Sequence, residues 1–135
     1  VTAVSELAAA GAKADIATGA TMSTEPVLRG EWVSPGTHVD LIGAYRPDMR
    51  EADDAALTRA RVFVDSLDTT VGHIGELKDT IARGALSEDD IVADYYGLAG
   101  FHRRSEDEIT LFKNGGGAHL DLMVSRYILD RWRAR

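Results

Sequence analysis

The chain has 135 residues, of which 44% are hydrophobic and 27% are charged, a composition that indicates a globular domain and excludes the disordered and fibrous classes. The formal net charge is -7, and because the basic residues are scattered rather than clustered, nucleic acid is not an expected partner. Cysteine is absent, which excludes disulfides and thiolate metal sites. No apolar run approaches the roughly 20 residues of a membrane span and no leader opens the chain, so we expect a cytosolic protein without a membrane partner.

The first half of the chain predicts strands that alternate with helical segments. Ser5 is expected to cap an Ala-rich helix over residues 5–14. Strands are predicted at residues 14–21, 37–44 and 61–66, and a helix or loop and helix at residues 46–60. Strands separated by helical segments imply crossover connections, so the sequence predicts a mostly parallel sheet that is covered by helices.

The second half predicts three helices and one strand. Residues 74–84 form a short helix that ends at a glycine, and residues 87–100 begin with a capping box of Ser87 and Asp90. Residues 108–114 are predicted as a strand. A long terminal helix follows over residues 115–135, and its expected core-facing side chains are Leu120, Met123, Val124, Tyr127 and Ile128.

Three loops are candidates for a ligand site, because ligands of open α/β sheets bind beyond the carboxyl ends of the strands. Residues 18–24 offer small side chains to a flat ring and hydroxyls to a ribose or carboxamide, and an ordinary turn is the alternative. In residues 43–51, Gly43 and Ala44 would abut a ligand and Tyr45 and Arg46 would point at it, and a solvated helix start is the alternative. Residues 65–70 form the third candidate loop.

The glycines and histidines allow further hypotheses. Gly115, Gly116 and Gly117 would aim N–H groups outward at an anion or cofactor, and a flexible entry to a packed helix is the alternative. No metal is predicted, because the four histidines lack the spacing of a helical metal pair. His38 lies within a predicted strand and is interpreted as a hydrogen-bonded core residue, with a ligand role as the alternative. Tyr95 and Tyr96 would lie at a pocket or, as aromatic pairs more often do, pack internally.

Several of these motifs, taken in order, closely resemble the carboxyl half of the ornithine cyclodeaminase and mu-crystallin family. The stretches that carry the resemblance are residues 14–54, 60–66, 75–84 and 108–122. The resemblance implies an α/β fold, namely the second half of a Rossmann-type doubly wound parallel sheet and a C-terminal segment that returns to a dimerisation domain. Residues 1–84 would be a partial NAD(P)-binding Rossmann domain, and residues 85–135 its end and the return segment.

The same resemblance implies an enzyme that uses NAD or NADP and acts on imino or amino acids. A Δ1-pyrroline-2-carboxylate or ketimine reductase is the main expectation. The alternatives are an ornithine cyclodeaminase, which releases ammonia, and a non-catalytic binder of NADP or a small ligand, as mu-crystallin can be. The family also implies a homodimer that forms through the C-terminal segment and the part of the protein upstream of this chain.

Motif positions assign expected roles to individual residues. Thr21 would contact the cofactor. Asn114 and Gly115 stand where the family usually has Ser-Val, near the cofactor and the substrate respectively. The residues that would line the nicotinamide are Ile42, Gly43, Ala44 and Tyr45, after which Tyr45 to Glu51 are expected to turn the chain away from the site.

Two departures from the family pattern matter for function. Tyr45 stands where cyclodeaminases have an Asp that binds the substrate amine and moves protons. A phenol, with a pKa of about 10, is a poor base at neutral pH, so imine reduction is favoured, with Tyr45 as a catalytic hydrogen-bond donor or a pocket wall. The Gly-rich phosphate loop and the substrate-binding Arg and Lys of the family lie upstream of this chain. We therefore expect the chain alone to be inactive and its first strand to have an exposed edge.

Overall fold

The computed structural model describes residues 1–135 and contains one five-stranded sheet with the strand order β1-β2-β5-β3-β4. The strands are β1 (Ile16–Gly19), β2 (His38–Leu41), β3 (Arg61–Val64), β4 (Ile91–Ala93) and β5 (Thr110–Lys113). Every neighbouring pair is parallel. The predicted α/β class and parallel sheet are therefore confirmed.

Four α-helices accompany the sheet. They are α1 (Leu7–Gly11), α2 (Asp54–Arg59), α3 (Gly75–Ala82) and α4 (Ala118–Arg133). All four lie within segments for which the sequence predicts helix. Ser5 is not the cap that it was expected to be, because α1 begins after Glu6 and no side chain accepts a hydrogen bond at its start.

Residues 87–100 do not form the predicted helix. The capping box of Ser87 and Asp90 is present, but it begins only a 3-10 turn at Glu88–Asp90, after which the chain enters β4. Ile91 pairs with Val62 of β3 and is buried. The backbone hydrogen bonds and the burial gained at the sheet edge outweigh the local helix signals, since propensity is a weak prior beside tertiary contacts.

The apolar core lies on one face of the sheet, beneath α2 and α3. Alternate positions of β2, β3 and β5 point to this face, as the two-residue period of a strand requires. Its buried side chains include Val39, Leu41, Val62, Val64 and Leu111 from the strands, with Leu57 and Leu77 from the helices. This packed core fixes the positions of the carboxyl ends of the strands.

The opposite face carries an aromatic cluster around a cavity of about 390 Å³. The ring centroids of Phe63 and Phe101 lie 4.8 Å apart, and those of Tyr95 and Phe112 lie 5.6 Å apart. Tyr95 therefore both lines this cavity and packs against its aromatic neighbours. His38 also lines the cavity, and its Nδ1 lies 2.8 Å from Thr110 Oγ1, so it is the predicted hydrogen-bonded strand residue. It is only partly buried and lies opposite the apolar core, so the prediction of a core position is wrong. Burial lowers the pKa of His38.

Two apolar surfaces are left uncovered by these 135 residues. β1 pairs only with β2, and Ile16 is 66% exposed, so the predicted exposed edge is confirmed. α4 has the predicted apolar face, but none of its residues is buried, because no other part of the chain packs along it. The expectation that its apolar side chains face this core is wrong. None of the helices combines the length and the apolar character that a membrane span requires.

Candidate functional site

The predicted site residues lie at the carboxyl ends of three neighbouring strands. Thr21 follows β1, Ile42 to Tyr45 follow β2, and Asn114 and Gly115 follow β5. Because β1, β2 and β5 are adjacent in the sheet, their loops emerge side by side. The structure thus brings the predicted set together at the edge where open α/β sheets bind ligands.

The loop after β2 exposes two large side chains and buries the small side chain of Ala44. Ile42 is 47% exposed and Tyr45 is 54% exposed. Ala44, in contrast, is fully buried and packs with Met49 and Ile74. Ala44 therefore supports the loop from beneath, and the exposed surface at this edge consists of the Ile42 side chain, the Gly43 backbone and the phenol of Tyr45.

The loops after β1 and β2 are joined by the carboxylate of Glu51. Its Oε1 accepts a hydrogen bond from the Thr21 N–H at 2.6 Å, and its Oε2 accepts from the N–H groups of Gly43 and Ala44 at 2.8 and 3.0 Å. The expectation that Tyr45 to Glu51 lead away from the site is therefore wrong. The segment folds back beneath the loops, because their part-buried N–H donors need acceptors and Glu51 supplies them.

Lys113 and Glu76 complete a buried charged group with Glu51, which we call the buried triad. Lys113 Nζ donates to the Leu41 carbonyl at 3.2 Å and lies 3.9 Å from Glu51 Oε2 and 3.7 Å from Glu76 Oε2. Glu76 Oε1 accepts a hydrogen bond from the Glu51 N–H. All three side chains are fully buried. Burial penalises the charged forms, so it raises the pKa of Glu76 and lowers the pKa of Lys113.

The buried triad is the part of the site that sequence reasoning missed. Glu51 belongs to a run of charged residues that is typical of a solvated surface. Lys113 does carry a signal, because it lies two positions after Leu111 and so shares its core-facing side of β5. A lone lysine in the core-facing register of a strand indicates a buried partner of opposite charge.

Glu76 should make the stability of the protein depend on pH. Its pKa is raised in the folded state, so the stability it contributes is complete below the pKa of the unfolded chain and is lost as the pH rises towards the folded pKa. Glu76→Gln has no proton to lose, so we expect its melting temperature to rise relative to the wild type between about pH 5 and about pH 8. Thermal unfolding at both values measures this, and a difference that is independent of pH would contradict it.

The glycine segment after β5 is anchored rather than open. Gly115 donates its N–H to Asp65 Oδ2 at 2.9 Å, and Gly116 donates its N–H to Asn114 Oδ1 at 2.7 Å. For these two glycines the prediction of outward-pointing N–H groups is wrong. Gly115 leaves no room for a side chain, since a Cβ there would lie 2.6 Å from Thr70 Oγ1.

The loop after β3 is closed around Asp65. Its Oδ1 accepts from the Ser66 N–H at 2.9 Å and from the Thr70 hydroxyl at 2.5 Å, while its Oδ2 accepts from Gly115. The residue is only 6% exposed. Asp65 therefore fixes the loops after β3 and β5 to each other, and the third candidate loop does not offer this carboxylate to a ligand.

The groups left free at this edge fit a flat, weakly polar ring. Glu51 already occupies the N–H groups of Thr21, Gly43 and Ala44, so these three donors are not available to an anion. What remains is the apolar surface of Ile42, the phenol of Tyr45 and the Thr21 hydroxyl, which accepts from the Ser23 N–H at 3.3 Å and keeps its proton free to donate. An apolar face with a few hydroxyls suits a nicotinamide ring and its carboxamide.

Comparison with known sequences identifies a family for the whole chain. The model of the "Ornithine cyclodeaminase/mu-crystallin family" matches residues 1–135. The Delta(1)-pyrroline-2-carboxylate reductase of Paracoccus denitrificans is 61% identical over 129 residues, which are 93% of this chain and 41% of that protein. The chain spans about two fifths of the length of the curated relatives it matches.

Solved structures share the fold. The Delta(1)-pyrroline-2-carboxylate reductase of Thermococcus litoralis, in complex with NADH and L-proline, has a TM-score of 0.77 and 33% identity, and the match covers 84% of this chain and 36% of that one. An archaeal alanine dehydrogenase dimer with bound NAD has a TM-score of 0.73 and 33% identity, with 83% of this chain and 36% of that one covered. Both neighbours hold a nicotinamide cofactor.

Proposed function

Because the chain belongs to the ornithine cyclodeaminase/mu-crystallin family, we propose that it is part of an NAD(P)-dependent reductase of cyclic imino acids, with Δ1-pyrroline-2-carboxylate as the substrate. The observation that carries the proposal is the convergence of the loops after β1, β2 and β5 on a surface that suits a nicotinamide ring. The identity of 61% with the Paracoccus denitrificans reductase supports the choice of substrate.

The state of the carboxylates favours imine reduction over ammonia release. A cyclodeaminase needs a free carboxylate to bind the substrate amine and move protons. Glu51 and Asp65 lie beneath these loops, but both are buried and accept hydrogen bonds from the chain itself. The position that would face the substrate holds Tyr45, which is 54% exposed and offers a hydroxyl.

The chain would bind and orient, while the nicotinamide cofactor, when bound, supplies the hydride. Ile42 and Gly43 would form the surface beneath the ring, and the Thr21 hydroxyl would donate to its carboxamide. Asn114 would lie near the cofactor and Gly115 near the substrate. Tyr45 would donate a hydrogen bond to the substrate, which holds the imine in place for reduction.

The test is a full-length chimera in which residues 1–135 replace the matched segment of the Paracoccus denitrificans relative. We expect imine-dependent loss of NADH or NADPH absorbance with Δ1-pyrroline-2-carboxylate. Tyr45→Phe should lower kcat/KM about tenfold, because one hydrogen bond to the substrate is lost. Tyr96→Phe is the matched control, since Tyr96 is 94% exposed and lies in the turn after β4, away from these loops.

Three other results would redirect the proposal. An unchanged kcat/KM in Tyr45→Phe would make Tyr45 a pocket wall. Cofactor binding without turnover of cyclic imines would favour a non-catalytic binder. Ammonia release from ornithine would favour a cyclodeaminase and contradict the argument from Tyr45.

The same proposal includes the assembly of the whole protein. α4 leaves its apolar side chains exposed, among them Met123, Tyr127 and Trp132, each at least 60% exposed. A homodimer interface along α4 would cover this apolar face, and the archaeal alanine dehydrogenase neighbour is a dimer. The domain division at residue 84 and the cytosolic location stay predictions.

A further inference from the structure

We propose that Glu51 is a positioning residue that holds the loops after β1 and β2 at one fixed separation beneath the nicotinamide, an inference that rests on the function proposed above. Glu51 is fully buried, so it touches neither cofactor nor substrate. Its carboxylate instead contacts the backbone of Thr21 on one loop and of Gly43 and Ala44 on the other. It therefore acts through the loops that would form the binding surface.

The two loops are close enough for small movements to matter. A Cβ on Gly43 would overlap the backbone nitrogen and oxygen of Thr21, so the two backbones pass each other with room only for a glycine. The two carboxylate oxygens of Glu51 accept hydrogen bonds from different loops, Oε1 from the loop after β1 and Oε2 from the loop after β2. A shift of one loop relative to the other would change the height of the Ile42 surface and the direction of the Thr21 hydroxyl.

Glu51 is itself held from below by charge and by a hydrogen bond. Lys113 Nζ lies 3.9 Å from its Oε2, and the same ammonium donates to the carbonyl of Leu41, the last residue of β2. Glu76 accepts the N–H of Glu51, which fixes its backbone. The carboxylate is thus tied to the sheet rather than to a mobile surface, as a positioning group must be.

Glu51→Gln separates this role from general stability, because the volume stays the same and only one acceptor oxygen remains. In either orientation the side-chain NH₂ faces an N–H donor, of Thr21 or of Gly43 and Ala44. In the full-length chimera we expect faster amide exchange at one or both of these loops, and a kcat lower by at least about tenfold. The primary isotope effect with deuterated NADH should rise as hydride transfer becomes slower.

Asp53→Ala is the control for a purely structural effect. Asp53 Oδ1 also accepts two backbone N–H groups, from Gly30 at 2.8 Å and from Ala56 at 2.9 Å, at the start of α2. This variant should lose stability yet keep kcat within about twofold and leave the isotope effect unchanged. If Glu51→Gln behaves in the same way, Glu51 is structural and the inference is wrong.

Amide exchange keeps this test separate from that of the proposed function. If the wild-type chimera reduces no imine, the proposed function fails, and the exchange of peptides that contain Thr21 and Gly43 still reports on Glu51. Unchanged protection of both peptides in Glu51→Gln would overturn the inference whatever the activity. Lost protection with an unchanged kcat in an active chimera would overturn it as well.

Discussion

Lys113→Met is expected to lower the free energy of unfolding by about 3–5 kcal/mol, as the removal of one member of a buried ion pair usually does. The ammonium is the only cation within 4 Å of Glu51 and Glu76, at 3.9 and 3.7 Å. Methionine fills a similar volume, so the loss comes from two buried carboxylates without a counter-charge rather than from a cavity. Urea unfolding of the full-length chimera at neutral pH measures the effect.

Two further variants identify the cause. Lys78→Met makes the same chemical change at an exposed position of α3 and should alter stability little. Lys113→Met combined with Glu76→Gln should be more stable than Lys113→Met alone, because one of the two uncompensated carboxylates is gone. Equal stability of the single and double variants would mean that Glu76 is not charged in the folded protein at neutral pH.

Gly43→Ala should reduce kcat/KM by about a hundredfold and cost about 1–3 kcal/mol of stability, the range for overpacking a filled site. The added Cβ would overlap the backbone of Thr21 and the Oε1 of Glu51. Both are fixed by hydrogen bonds, so the loops after β1 and β2 must separate. Steady-state kinetics and urea unfolding of the chimera measure the two effects.

Gly72→Ala is the matched control for this substitution. Gly72 has a φ of -83°, which an alanine adopts without strain, and a Cβ there meets no atom within 4 Å. We expect wild-type stability and wild-type kinetics. A Gly43→Ala variant that matched it would show that the two loops tolerate a wider separation and would also weaken the case for Glu51.

The sequence predicts the sheet well because its strands are short apolar runs between glycines and helical segments. It fails at residues 87–100, where β4 forms only because β3 offers an edge, which local sequence does not record. It fails also for α4, since an apolar helical stripe predicts that a face is buried but does not say against which part of the protein. The strand order is likewise set by long-range pairing.

The candidate site, like the fold, could be predicted from the sequence only in part. Thr21 and Gly43 could be located because loops at the carboxyl ends of parallel strands meet at one edge, whereas the resemblance to the family locates Asn114. The buried triad could not, because its members come from a loop, a helix and a strand and lie 25 and 37 positions apart along the chain (76 minus 51, and 113 minus 76). Its charges are paired only in three dimensions. The register of Lys113 on β5 indicates a buried partner, but nothing in the local sequence identifies Glu51 or Glu76 as that partner.

The strand order also has a consequence for the synthesis of the chain. Of these five strands β5 is the last to be made, yet it lies in the middle of the sheet, between β2 and β3. Until residues 110–113 leave the ribosome, β1 with β2 and β3 with β4 are two separate halves, each with an open edge that can pair wrongly. Arrival of β5 joins the halves and delivers Lys113 to Glu51 and Glu76 in the same step. The strand that joins the two halves therefore also brings the counter-charge of the buried acids.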